Sequence, residues 1–310
     1  MACWASLVFA LLPLAAFAAP LVPGTGQKVE GIGDDFEDEK FSYTYNLPKA
    51  SKEIDEQTRL PGGHSSNGRW VEGALRGTPD HVRRVSTPPH GIEGSQGSML
   101  LMTLNSGVPH RNSFSPQQDD LLASPTALRG GVPVSWSPSI VTRVCVPPFD
   151  KFERRNGVTF GFRGALKGYG GPKDPDSLED YWPGIFIRFM PKNNQPKSVD
   201  RARFLLRADT HGGDFWGPEI TEIGWYTLGL SFTPDGAVHY YISQGVDNLT
   251  AADHVATRFP YNMRAKYFNT FFFNALSADN GKSWSTPWIV DDPTMYWNRP
   301  SAASARQRRR

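Results

Sequence analysis

Cysteine is nearly absent from this 310-residue chain, which holds only Cys3 and Cys145. Cys3 lies inside an apolar leader, so a chain trimmed of it keeps Cys145 alone and has no internal disulfide. Cys145 sits in an alternating run over residues 140–146 and reads as a small buried thiol. Long apolar runs are also scarce. The one over residues 7–17 is about eleven residues, against the roughly 20 that span a bilayer as a helix, and no later segment is apolar enough to cross. A dominant charge is missing as well: 33 Lys and Arg face 31 Asp and Glu, a net +2, which gives no electrostatic ground for a nucleic-acid partner. There is no sustained helical periodicity and no internal repeat, which argues against solenoids and propellers. Also missing are a Gly-x-Ser-x-Gly elbow, a P-loop, a dinucleotide-binding fingerprint and a His-Glu-x-x-His pair. Nucleophile-elbow hydrolases, nucleotide enzymes and zinc peptidases lose support accordingly.

What is present at the start is an export pattern. The apolar run leads into Ala16-Phe17-Ala18, which predicts a signal peptide over 1–18 cut before Ala19, although no Lys or Arg precedes the run. A secreted, periplasmic or cell-surface protein follows, with no membrane contact once the signal is removed. Residues 19–33 predict a Gly- and Pro-containing leader, 34–298 a single domain, and 299–310 a disordered basic tail that ends in Arg308 to Arg310.

Thirty Gly, 26 Pro and 12% aromatics favour short strands and turns over helices. From Val134 onward the hydrophobic period is two. Ile185, Ile187 and Phe189 alternate with Phe186, Arg188 and Met190, and Phe204, Leu206 and Ala208 alternate with Arg203, Leu205 and Arg207. Tyr226, Leu228, Leu230 and Phe232 lead through Pro234-Asp235-Gly236 to Val238, Tyr240 and Ile242, a hairpin written in sequence. Residues 251–256 suit a short helical turn. Before Pro133 turn signals dominate, and only residues 99–104 read as a strand. Strands spaced by turns without alternating helices predict an all-β, two-sheet antiparallel β-sandwich with long loops.

The opening Asp34-Asp35-Phe36-Glu37-Asp38, the segment Trp225 to Leu230 leading into Asp235 to Tyr241, and the closing Trp288-Ile289-Val290-Asp291-Asp292 resemble concanavalin A-like lectin/glucanase domains, and more closely secreted bacterial proteins of that superfamily. The resemblance covers roughly 34–297. It implies a jelly roll of two curved antiparallel sheets, terminal strands side by side, and any glycan held on the concave face.

Several side-chain sets suggest chemistry. Arg163, Arg188, Arg207, His239 and Tyr241 are polar members of alternating strands, so each projects away from its strand's apolar face. On one shared sheet the arginines, with Arg207 as the catalytic one, would neutralise a uronate carboxylate while His239 or Tyr241 removed the neighbouring proton. The Gly-rich stretch 207–219 adds His211, Trp216 and Glu219, and Trp182 joins Trp216 as a flat face for sugar stacking. Asp34, Asp35, Asp291 and Asp292 would meet if the terminal strands pair, and could hold a structural calcium ion. Ser277 to Trp284 fits an Asp-box, in a single copy that predicts a hairpin turn. Glu53-Ile54-Asp55-Glu56 resembles the paired acids of family-16 glucanases, but Gln57 stands where the second acid belongs, leaving an exposed polar loop. These sets support a secreted, lectin-like protein that binds a polysaccharide. The alternatives are a lyase of uronate polymers and, second, a glycoside hydrolase using Glu219 and Glu222.

Overall fold

The computed structural model describes residues 21–52, 59–106, 117–128 and 130–299. The expected signal peptide, the Glu53 to Glu56 segment and the tail from residue 300 lie outside them. Among the described residues the strands are β1 (Gln27–Gly33), β2 (Tyr43–Thr44), β3 (His64–Ser65), β4 (Trp70–Glu72), β5 (His81–Ser86), β6 (Gly97–Met102) and β7 (Gln117–Ala123). There follow β8 (Val132–Pro133), β9 (Ser139–Val146), β10 (Gly157–Tyr169), β11 (Glu179–Tyr181), β12 (Gly184–Met190) and β13 (Arg201–Arg207). The chain closes with β14 (Asp214–Ile220), β15 (Gly224–Phe232), β16 (Val238–Gln244), β17 (His254–Arg258), β18 (Arg264–Ser277) and β19 (Trp288–Trp297).

These strands make two antiparallel sheets. The smaller has eight strands in the order β17-β16-β15-β9-β19-β6-β5, with β1 beside β19. The larger has eleven, β14-β13-β12-β10-β18-β7-β4-β3-β2, with β11 on β10 and β8 on β18. Helical structure is confined to short 3-10 turns, one of them at Ala251–Asp253 with Thr250 and Asp253 capping each other reciprocally. No helix among the described residues is long and apolar enough to cross a membrane.

The alternation seen in sequence is the inner face. Ile185, Ile187, Phe189, Phe204, Leu228, Leu230, Phe232 and Tyr240 are fully buried in one cluster between the sheets. Trp288 packs edge-on to Phe152 and tilted against Phe160, and its indole N–H donates to the Thr159 carbonyl at 3.0 Å. A buried tryptophan of this kind contributes area and satisfies its one donor.

Three expectations need correction. The turn-rich stretch before Pro133 contains β2 to β7, and β7 lies well inside the larger sheet. Its Gln-Gln-Asp-Asp-Leu-Leu-Ala sequence shows no polar-apolar alternation because Asp119 is buried by a distant partner: Lys49 Nζ lies 2.8 Å from Asp119 and 2.8 Å from Asp80. The leader also contains the first strand instead of preceding it. β1 pairs with β19, and ahead of it Val22 packs on a small outer cluster of Val141, Tyr241 and Leu249. Finally, the Asp-box does not turn a hairpin. It joins β18 to β19, which belong to different sheets, and Asp279 accepts the Ser106 N–H at 2.8 Å while Trp284 stacks on His81.

Candidate functional site

The outer face of the larger sheet carries a polar groove. Strand pairing places residues in rows across β14, β13, β12, β10, β18 and β7, with paired residues on the same face. One row runs Asp214, Arg207, Gly184, Arg163, Phe272, Leu122; the next runs Trp216, Leu205, Phe186, Gly161, Asn274, Asp120. Two glycines shape the floor. A Cβ at Gly184 would stand 2.4 Å from Arg163 Cγ, and one at Gly161 would stand 2.9 Å from the Phe186 ring and 2.5 Å from Asn274 Oδ1. Their bare backbone lets Arg163 and Phe186 lie down across the sheet.

Arg163 is buried at 8% exposure. Its guanidinium lies 5.2 Å from the Phe186 ring centre and 5.3 Å from that of Phe272, and it donates through Nε and Nη2 to the Trp182 carbonyl at 3.2 and 2.7 Å. Among the described residues it forms no ion pair. Burial, and then repulsion from Arg207, pull its pKa down to about 10. Arg207 stands over the same Phe186 ring at 5.0 Å. It is paired with Asp214 at 2.6 Å and donates to the Tyr261 hydroxyl at 3.3 Å, which holds it firmly cationic. Tyr240, on the inner face of β16, donates its hydroxyl to the Arg207 carbonyl at 2.7 Å, bracing the end of β13 from below.

The opposite wall comes from β7 and β18. Asp120 accepts from Gln118 Nε2 at 2.9 Å and Asn274 Nδ2 at 2.7 Å. Burial raises its pKa to about 6 against the pull of Arg76 and Arg163. Asn274 is fully buried, and its Oδ1 has no hydrogen-bond partner among the described residues. Arg76, Gln118, Asp120, Arg163, Trp182, Arg207, Tyr261 and Phe272 line a cavity of about 230 Å³. A second cavity of about 540 Å³ adjoins it, sharing Trp182 and Tyr261. Tyr261 reaches the groove from a 3-10 turn in which it and Asn262 both have φ of 59°. Left-handed backbone at two successive non-glycine residues stores strain of the kind found at functional sites.

The expected five-residue set does not converge. Arg163, Arg188 and Arg207 share the outer face of the larger sheet, but His239 and Tyr241 lie on β16 of the smaller one. They do project away from the core, onto the far side of the molecule, where both are fully buried. His239 is held between Thr233 at 2.8 Å and Thr257 at 2.7 Å, and burial drives its pKa down to about 4. His211 is exposed in the turn after β13, beside Asp209 at 3.4 Å. Trp182 lines the groove and Trp216 is 52% exposed on the edge strand β14. Glu219 pairs with Arg201 at 2.6 Å, whereas Glu222 accepts from Gln244 of the smaller sheet at 2.8 Å, so these two acids do not face one another across the groove. Asn274, Asp120, Gln118, Arg76 and Tyr261 were missing from the sequence reading. The Pro260-Tyr261-Asn262 turn was the sole local signal, and only for Tyr261.

No protein-family model and no curated protein matches the chain. Among solved structures it is similar to a carbohydrate esterase from the Shiga toxin-encoding bacteriophage phi24B, at 13% identity over 83% of this chain and 100% of that one, with a TM-score of 0.45. It is also similar to an alginate lyase from Pseudomonas aeruginosa, at 11% identity over 70% and 86% with a TM-score of 0.39. A third is a β-glucanase catalytic domain from Podospora anserina, at 12% over 79% and 85% with a TM-score of 0.38. Likenesses this distant leave the chemistry of the site to be argued from its own residues.

The terminal strands pair as the calcium expectation required, but the four acids are otherwise engaged. Asp34 accepts from Phe36 N–H and Asn67, Asp35 accepts from the Glu37 N–H at 3.3 Å, Asp292 pairs with Arg143 at 2.8 Å, and Asp291 accepts from Ser95 at 3.0 Å. Burial raises the Asp291 pKa to about 6. Among the described residues no group of three His, Cys, Asp or Glu side chains is placed to hold a metal ion.

Proposed function

We propose that the outer face of the larger sheet binds an acidic polysaccharide, with uronate carboxylates received at Arg163 and Arg207. One observation carries this reading: Arg163 is a buried cation on an aromatic floor, fixed by a carbonyl, with no ion-pair partner among the described residues. A buried unpaired charge is costly, and an incoming carboxylate removes that cost through charge-assisted hydrogen bonds. Phe186, Phe272 and Trp182 supply apolar surface beneath sugar rings, and the expected export signal would place the protein where such polymers occur. Gel mobility on alginate, pectate and glucuronan, with a neutral glucan as reference, tests it. Retardation by an acidic polymer but not by the neutral one, abolished in Arg163→Gln, is the expected outcome. Equal retardation by both, or none by any, overturns the proposal.

A second reading, eliminative cleavage, is favoured by Tyr261, whose hydroxyl accepts from Arg207 beside the cavity. In that reaction the phenolate takes the proton beside the neutralised carboxylate. The electron pair left behind forms a carbon–carbon double bond, the glycosidic C–O bond breaks, and the departing oxygen is protonated by the phenol. Ultraviolet absorbance of an unsaturated product, lost in Tyr261→Phe, supports cleavage; binding without product assigns the groove to recognition alone.

A further inference from the structure

The two arginine pairs on the larger sheet differ in what neutralises them. Arg188 and Arg203 are directly opposite each other on β12 and β13, an arrangement of like charges that repel. Neither forms an ion pair among the described residues. Arg188 Nη2 donates to Asn156 at 3.2 Å and Arg203 Nε to the Gly217 carbonyl at 2.7 Å, while Arg188 Nε is buried with no hydrogen-bond partner among the described residues. Neighbouring Arg201, by contrast, is matched by Glu219. Glu219 also stands cross-strand from Arg203, but its carboxylate is held by Arg201. Between Arg188 and Arg203 stands Trp216, half exposed on β14, with guanidinium carbons at 5.8 and 5.1 Å from its ring centre.

We propose that the acidic chain received at Arg163 and Arg207 continues along β12 and β13 to a second anionic subsite formed by Arg188, Arg203 and Trp216. This rests on the acidic-polysaccharide reading of the groove. Gly184, which lies between Arg163 and Arg207 in the pairing, and Arg188 are four residues apart on β12, so the subsites are about 13 Å apart at the strand rise. The intervening Phe186 and Leu205 are buried and offer no charge. A single sugar cannot touch both ends, so the site selects polymer length, and the bound chain runs along the strands.

Titration calorimetry with dimers and octamers of galacturonate, mannuronate and glucuronate tests this on wild type, Arg163→Gln, the double variant Arg188→Gln/Arg203→Gln, and the charge-preserving Arg188→Lys/Arg203→Lys. The expected result is an octamer bound at least about tenfold more tightly than its dimer by wild type. The double Gln variant loses about tenfold for the octamer and nothing for the dimer, and the Lys variant keeps octamer binding within a few-fold. Arg163→Gln weakens both lengths. If the double Gln variant binds the octamer like wild type, or the Lys variant fails as badly as the Gln variant, the second subsite is wrong and the Arg163 site stands. If wild type binds none of the six oligomers, both readings fall.

Discussion

Replacing Gly184 by Ala tests whether a missing side chain positions Arg163. The new Cβ would stand 2.4 Å from Arg163 Cγ and 2.9 Å from the Phe162 carbonyl oxygen. The arginine stem can swing away, but the backbone oxygen cannot, so both strain and displacement follow. Overpacking of this size costs about 1–3 kcal/mol, and alanine's smaller freedom in the unfolded chain returns about 0.4–1 kcal/mol. Losing the two bonds to the Trp182 carbonyl costs further stability, since hydrogen bonds to charged groups contribute about 1.5–3 kcal/mol. With the two bonds to one carbonyl counted as a single contribution, the net destabilisation should be about 1.5–5.5 kcal/mol, to be set against the roughly 5–15 kcal/mol of a folded domain. In binding, a displaced Arg163 forfeits one charged contact, about 1.5–3 kcal/mol, or roughly ten- to a hundredfold in affinity. Gly213→Ala is the control, because its Cβ would meet nothing closer than 3.5 Å. Denaturant melts and calorimetry with an acidic oligomer measure both effects. Wild-type affinity in Gly184→Ala would refute the claim that the bare strand sets the arginine's position.

Three further outcomes follow from buried ionisable groups. Asp120 titrates near pH 6 beside the groove, and an anionic ligand prefers its protonated form. Affinity should therefore fall as pH rises from 5 to 7, by a little under about tenfold if two unit charges about 7 Å apart repel by roughly 2 kcal/mol, since one proton titrating near pH 6 can give no more over that window; Asp120→Asn should flatten the profile, and an unchanged slope would exclude Asp120 as its cause. Lys49→Met leaves Asp119 without its buried cation and should lower unfolding free energy by about 3–5 kcal/mol, read from urea melts; a loss under about 1 kcal/mol would show that the pair is dispensable. His239 has its folded pKa depressed to about 4, so its contribution is fully present above its unfolded value near 6.5 and is lost as pH falls through 4. The difference in stability between wild type and His239→Gln should shrink by about 3 kcal/mol over that window, and a difference independent of pH would count against a neutral buried imidazole.

The sequence revealed which side of a strand faces the core, because inner-face residues on β12, β13, β15 and β16 are apolar at a period of two. It revealed the β15–β16 hairpin as well, since Pro234-Asp235-Gly236 encodes the turn locally. Which sheet a strand joins is not local information. Arg163 and His239 have the same outward pattern, yet β10 pairs with β12 and β18 whereas β16 pairs with β15 and β17. β7 escaped for a related reason: the partner that makes a buried aspartate tolerable there, Lys49, lies 70 residues away. Tyr261 reaches the groove through backbone conformation, a property that its residue type does not announce.

The most direct measurement is a crystal structure with an acidic octasaccharide bound. The account predicts a carboxylate within hydrogen-bond reach of Arg163 and Arg207, with the chain over Phe186 toward Trp216. An octasaccharide seated on the smaller sheet near His239 and Tyr241, or one whose carboxylates avoid Arg163, would contradict it.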